Sequence, residues 1–182
     1  REKFIFKPLM YEVLSEELPI WEAAHDFSDV FSNLGVTFIK NSLTKIRFDD
    51  SILEFSDDLK LSYEFLVLCT GSLNNSFSVK GVDENCYFFN DLSDLKKLKS
   101  FLQQTHDNNV KKNLFVVGAG PSGVEIACKV HDMYKNKFEI RIIERSNEIL
   151  SKNKIFNREE AEKAIERRKI NLFMNSTVKE IS

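Results

Sequence analysis

Residues 114–123 read Leu114-Phe115-Val116-Val117-Gly118-Ala119-Gly120-Pro121-Ser122-Gly123, and Val124-Glu125-Ile126-Ala127 follow. An apolar run thus enters a G-x-G-x-x-G and leaves it as a helical pattern, the order that a dinucleotide-binding βαβ unit requires. Gly118 is expected to permit the tight turn, Gly120 to let backbone approach a pyrophosphate, and Gly123 to let helix and strand pack closely. Ala119 completes the turn. Pro121 takes the first helical position, where a missing N–H costs nothing. Ser122 follows in the first helical turn, whose N–H groups and positive dipole end suit phosphate oxygens. The next apolar run, Phe138 to Ile143, ends at Glu144, 21 residues after Gly123 (144 − 123). A carboxylate there can accept both hydroxyls of an adenosine ribose, which favours NADH. Arg145 comes directly after it and is placed to meet a 2′-phosphate, so NADPH stays open. Methyltransferases also combine a Gly-rich first turn with an acid after the second strand, but Pro121 and Glu125 favour a pyridine nucleotide.

Working outward, the pattern after residue 112 alternates strand and helix: Asn113 to Val117, Pro121 to Met133, Phe138 to Ile143, Asn157 to Arg168 and Asn171 to Met174. This alternation predicts a parallel, doubly wound α/β sheet. Upstream, Asp91 to Gln104 has Leu92, Leu95, Leu98 and Leu102 on one helical face. Tyr63 to Cys69 is a nearly continuous apolar run stopped by Thr70-Gly71, the pattern of a strand buried on both faces of a parallel sheet. Leu43 to Phe48, Ser51 to Phe55 and Lys60 to Ser62, parted by Asp-Asp pairs, read as a small antiparallel meander. Helices are predicted at Pro8 to Glu17 and at Ala24 to Leu34, the second stopped by Gly35 and feeding a strand at Val36 to Ile39. Phe27, Phe31, Phe38, Phe65 and Phe115 are expected to face inward. His106 to Lys112 is polar and apolar-poor, and it places a domain boundary between residues 107 and 108.

The 26 basic and 28 acidic side chains leave a net charge of −2, with no global pull toward nucleic acid or an anionic membrane. Cys69, Cys86 and Cys128 form no C-x-x-C pair and no cluster with histidine, which argues against structural zinc and a redox dithiol. His25, His106 and His131 are scattered, and each reads as a packed or solvated side chain. Arg158, Arg167 and Arg168 read as surface residues, with a role near a nucleotide phosphate as the lesser alternative. No run of about eighteen apolar residues is present.

The segments Phe6 to Ser15, Trp21-Glu22, Phe27 to Asp29, Tyr63 to Gly71, Gly118 to Ala127 and Asn157 to Glu159 together resemble the pyridine nucleotide–disulfide oxidoreductase superfamily. Within it they resemble the type II NAD(P)H:quinone oxidoreductases, especially the cyanobacterial and plastid branch. The resemblance implies two Rossmann-type domains, one for FAD and one for NAD(P)H, with a quinone as acceptor. Residues 1–107 would be part of the FAD domain and 108–182 the first part of the inserted NAD(P)H domain. Thr70 and Gly71 would face the flavin, and Lys7 and Pro8 would open the segment beside its ring. Glu125 would lie near the nicotinamide and flavin as the candidate catalytic residue. Trp21 reads as a structural anchor. Peripheral attachment to the cytoplasmic side of a thylakoid or plasma membrane, and a homodimer, belong to the same expectation.

The chain starts at Arg1 and stops at Ser182 within a strand-like pattern, so it reads as an internal fragment truncated at both ends. Such a fragment is expected to hold FAD weakly, to lack activity by itself, and to expose the Tyr63 to Cys69 run. The missing Cys pair points away from a disulfide acceptor and toward a quinone. Two other readings stay open: a flavoprotein reductase with a ferredoxin-like protein acceptor, and a non-catalytic dinucleotide-binding module.

Overall fold

The computed structural model describes residues 2–106, 110–135 and 137–182. In chain order the first elements are β1 (Lys3–Ile5), a 3-10 turn (Lys7–Leu9), α1 (Met10–Leu14), α2 (Ile20–Ala23), β2 (Ala24–Asp26) and α3 (Phe27–Phe31). Then come β3 (Leu43–Arg47), β4 (Ile52–Phe55), β5 (Lys60–Ser62), α4 (Val82–Asn85) and α5 (Leu92–His106). The last are β6 (Lys112–Val117), α6 (Pro121–Met133), β7 (Phe138–Ile143), α7 (Ile155–Arg167) and β8 (Asn171–Phe173). They form two compact units, one of Arg1–Phe6 with Ala24–Leu73 and one of Lys7–Ala23 with Asn74–Ser182. The expected boundary between 107 and 108 lies outside the described residues. On its near side, α1 and α5 pack within the same unit as β6 to β8.

In the first unit, β3, β4 and β5 form the expected antiparallel meander. The helix expected over Ala24 to Leu34 does not form as one piece. Ala24–Asp26 instead pairs antiparallel with Lys3–Ile5, and a five-residue helix follows. A ladder with a distant strand outweighs local helical spacing here, because it satisfies the same backbone groups. Phe27 stacks on Phe31 and Phe38 with ring centroids 5.5 and 5.0 Å apart. Val36 to Ile39 and Tyr63 to Cys69 are not strands. Neither has a hydrogen-bonded neighbour strand among the described residues, and an apolar run alone cannot supply the ladder. Phe65 and Val67 are accordingly 90% and 80% exposed. The inward placement expected for Phe65 is therefore wrong.

In the second unit, the sheet runs β6-β7-β8 and is parallel throughout, with Val117 opposite Ile143 and Ile143 opposite Phe173. The β7 face bearing Phe138, Ile140 and Ile142 is buried with Val124, Ala127 and Val130 of α6 and Ile165 of α7. Leu98 and Leu102 of α5 and Leu14 of α1 extend the same core. Asp91 starts α5 by accepting the Ser93 and Asp94 N–H groups at 2.8 and 3.0 Å, an N-cap that answers the helix's orphan donors. The opposite sheet face stays open: Phe115 and Val117 are 51% and 60% exposed. Phe115 therefore does not point inward, because its alternation puts it on the face away from the helices.

Candidate dinucleotide-binding site

The turn between β6 and α6 uses its glycines for different reasons. Gly118 has φ +103°, a conformation that L side chains rarely adopt, and its N–H donates to the Ile143 carbonyl at 2.8 Å. A Cβ on Gly123 would lie 1.9 Å from the Gly118 carbonyl oxygen, so helix and turn touch backbone to backbone there. A Cβ on Gly120 would meet nothing within 4 Å, which leaves open space beside the start of α6. Gly120 is the N-cap and no side chain caps it, so the first-turn N–H groups of α6 are left for a ligand oxygen. Pro121 sits at the first helical position.

Glu144 is built into this turn. Its Oε2 accepts the Ala119 N–H at 2.7 Å and its Oε1 accepts the Ser146 N–H at 2.8 Å. Burial pushes the carboxyl upward, but the Ala119 and Ser146 N–H bonds outweigh it and hold Glu144 below the ordinary glutamate value. The Ser146 hydroxyl and the Arg145 N–H also act on this carboxylate, so the loop after β7 wraps around it. The loop after Glu144 is tied back where the Leu150 N–H donates to the Ala119 carbonyl at 2.9 Å. Arg145 is exposed beside the carboxylate. Open space at Gly120, uncapped N–H groups and a fixed carboxylate suit the pyrophosphate and ribose of a dinucleotide.

A groove of about 560 Å³ runs along the next face of α6. Lys7, Pro8 and Tyr11 line it from one side, and Ser122, Glu125 and Cys128 from the other. Lys7 Nζ donates to Asn90 Oδ1 at 2.6 Å. The sequence-derived residues Lys7, Pro8, Ser122 and Glu125 therefore meet in one place. Thr70 and Gly71 are exposed residues of the other unit. Trp21 is 65% exposed, which removes the anchor role expected of it. Arg168 forks onto Asp132, and Arg158 pairs with Glu148.

Sequence reading missed Tyr11 and Lys129. Lys129 Nζ lies 2.9 Å from Glu17 and 3.9 Å from Glu12, tying α6 to the α1 segment. The available signal was a stripe at helical spacing, Ser122, Glu125, Lys129 and Asp132, on a face of α6 other than buried Val124, Ala127 and Val130.

A parallel βαβ unit with this turn, this uncapped helix and this acid defines a Rossmann-type dinucleotide-binding fold. The chain belongs to the pyridine nucleotide-disulphide oxidoreductase family, which it matches over residues 1–182. It is 33% identical over its whole length to demethylphylloquinone reductase NdbB of Synechocystis sp., covering 46% of that protein. It is 29% identical over 99% of its length to the alternative NAD(P)H-ubiquinone oxidoreductase C1, chloroplastic/mitochondrial, of Arabidopsis thaliana, covering 38% of it. Among solved structures, NDH2 from Plasmodium falciparum in complex with NADH shares the fold at TM-score 0.81 and 22% identity, over 100% of this chain and 43% of that one. The sulfide:quinone oxidoreductase of Aquifex aeolicus does so at TM-score 0.83 and 16% identity, over 100% and 45%. The chain thus spans less than half the length of these relatives. Among the described residues, no helix is long and apolar enough to cross a membrane.

Proposed function

We propose that the complete protein oxidises NAD(P)H by hydride transfer to FAD and passes the electrons to a quinone, with this chain supplying the nicotinamide-nucleotide site. The observation that carries the reading is the turn in which Gly118, Gly120, Gly123 and Glu144 each meet a distinct requirement of a dinucleotide. The quinone acceptor is drawn from the relatives that match the chain end to end.

In this reading, residues 108–182 are the first part of the NAD(P)H domain and residues 1–107 derive from the FAD domain. The N–H groups at the start of α6 receive the pyrophosphate, and Gly120 leaves it room. Glu144 takes the ribose hydroxyls, which selects NADH over NADPH because a carboxylate repels a 2′-phosphate. Ala119, Pro121 and Ser122 shape the turn, and Arg145 flanks the ribose. FAD, when bound, supplies the acceptor for a hydride and the donor for the quinone. Lys7 and Pro8 line the groove on its side of the site, and Thr70 and Gly71 are assigned to the flavin by the family resemblance. Glu125 lies along the groove beside Lys7 and shapes the electrostatics near the reacting rings. Attachment is peripheral, on the cytoplasmic side of a thylakoid or plasma membrane, through segments outside this chain.

Calorimetric titration of the chain with NADH tests the nucleotide site. Glu144→Ala should weaken NADH by about 1–3 kcal/mol, the cost of losing charge-assisted hydrogen bonds. Unchanged affinity would remove Glu144 from the site. For the complete protein, a flavin spectrum together with NADH-driven reduction of a soluble quinone is expected. A colourless, inactive preparation would overturn the enzymatic reading.

A further inference from the structure

The sequence leaves Tyr11 without a role, and the structure places it at the heart of the groove. α1 and the residues just after it are tied to α5 and α6 by ion pairs. Lys129 of α6 pairs with Glu17, with Glu12 at longer range, while Lys99 of α5 lies 2.7 Å from Glu16. Gln103, also on α5, donates to Glu16 at 3.3 Å. These ties present Tyr11 to the first turns of α6. Its ring packs on Phe89 with centroids 5.0 Å apart, which fixes the direction of the hydroxyl.

The hydroxyl sits between two side chains of α6. Tyr11, Ser122 and Glu125 line one groove, and both α6 side chains act on the Tyr11 hydroxyl, Ser122 as a donor and Glu125 as an acceptor and a charge. Burial first, and the Glu125 acceptor and charge after it, push the Tyr11 hydroxyl up to about 12, so it keeps its proton at any working pH. A permanently protonated phenol is a permanent donor. Ser122 and Glu125 stand one helical turn apart on α6, leading from the pyrophosphate turn into the groove that Tyr11 lines opposite them.

We propose that Tyr11 is a positioning residue, whose hydroxyl relays from Ser122 to Glu125 and aims the Glu125 carboxylate into the groove it shares with Lys7. The role of Glu125 toward the reacting rings rests on the function proposed above, whereas the Tyr11–Glu125 coupling does not. An exposed glutamate samples many rotamers, and one donor that is itself held by a ring contact removes most of that freedom. The effect falls on the geometry of transfer rather than on nucleotide affinity, because the pyrophosphate and ribose contacts lie elsewhere on the turn.

The test uses the complete flavoprotein and the variants Tyr11→Phe, Glu125→Gln and the double variant. In stopped flow, Tyr11→Phe should slow flavin reduction by NADH by about tenfold, the order expected when a positioned group is loosened. The NADH dissociation constant from calorimetry should stay within about twofold, below the effect of losing a direct contact. In the Glu125→Gln background, Tyr11→Phe should add no further slowing, since the group it positions is already lost. Equal slowing in both backgrounds, no slowing, or a weakened NADH affinity would overturn the proposal. If the wild type holds flavin but NADH does not reduce it, the proposed enzymatic function fails instead. Thermal unfolding of the same four proteins then decides the coupling: non-additive shifts in Tm support it, and additive shifts overturn it.

Discussion

Gly123 and Gly120 are three positions apart, and the structure gives them opposite constraints. A methyl group on Gly123 would overlap the Gly118 carbonyl oxygen at 1.9 Å, and that oxygen belongs to backbone already committed to the turn. A methyl group on Gly120 would meet no protein atom within 4 Å. Gly123→Ala should therefore cost about 3 kcal/mol or more in urea unfolding, since overpacking against backbone has no soft neighbour to yield. Gly120→Ala should stay within about 0.5 kcal/mol of wild type in stability yet lose most NADH affinity. The reverse order of stabilities would show that Gly123 is not a packing contact. Ser122, read from sequence as part of the phosphate cradle, lines the groove with Tyr11, and its backbone N–H in the uncapped first turn is the part that can serve a phosphate.

At the scale of elements, α6 is the hub of its unit. One face packs on the sheet, another meets α1 through Lys129, and its C-terminal turn is joined to α7 by Asp132. Arg168 reaches both Asp132 oxygens, at 2.9 and 2.6 Å, in a forked pairing. The Arg168 guanidinium holds the Asp132 carboxyl below the ordinary aspartate value of 3.8, against a smaller upward push from burial, with His131 adding to the downward shift. A depressed folded-state pKa means that this stabilisation is complete above the unfolded value and is lost as pH falls through the folded one. Asp132→Ala should thus destabilise by about 0.5–1 kcal/mol at pH 7, because the pair is half-exposed. The gap to wild type should narrow below pH 3.8. Urea unfolding at pH 7 and pH 3 checks both statements, and a gap independent of pH would exclude the ion pair as its origin.

At the scale of the whole molecule, apolar surface in the first unit is left uncovered. Phe65 and Val67 stand out in an irregular segment, and Leu73 beyond them is 92% exposed. Contiguous exposed apolar side chains of this kind favour association. Light scattering of the 182-residue chain should show self-association that grows with concentration. The double substitution Phe65→Glu with Val67→Glu should abolish it. A clean monomer at high concentration would show that this surface does not drive association.

What the residues of the chain determined by themselves is the nucleotide half. The strand, turn and helix of residues 112–133 lie within one residue of where the spacing put them, as do β7 and β8. Their information is local: a φ that only glycine adopts freely, a proline at the first helical position, and an apolar alternation that suits one buried face. The tertiary structure decided whatever depended on a distant partner. Ala24–Asp26 became a strand because Lys3–Ile5 lay beside it, whereas Tyr63 to Cys69, with the stronger apolar pattern, found no ladder and stayed irregular. The site divides in the same way. Gly118, Gly120, Gly123 and Glu144 were legible as a motif, but Tyr11 was not, because its partners Ser122 and Glu125 are more than a hundred residues away in sequence. Only the packing of α1 against α6 brings a hydroxyl to that carboxylate, and no periodicity in either segment encodes the meeting.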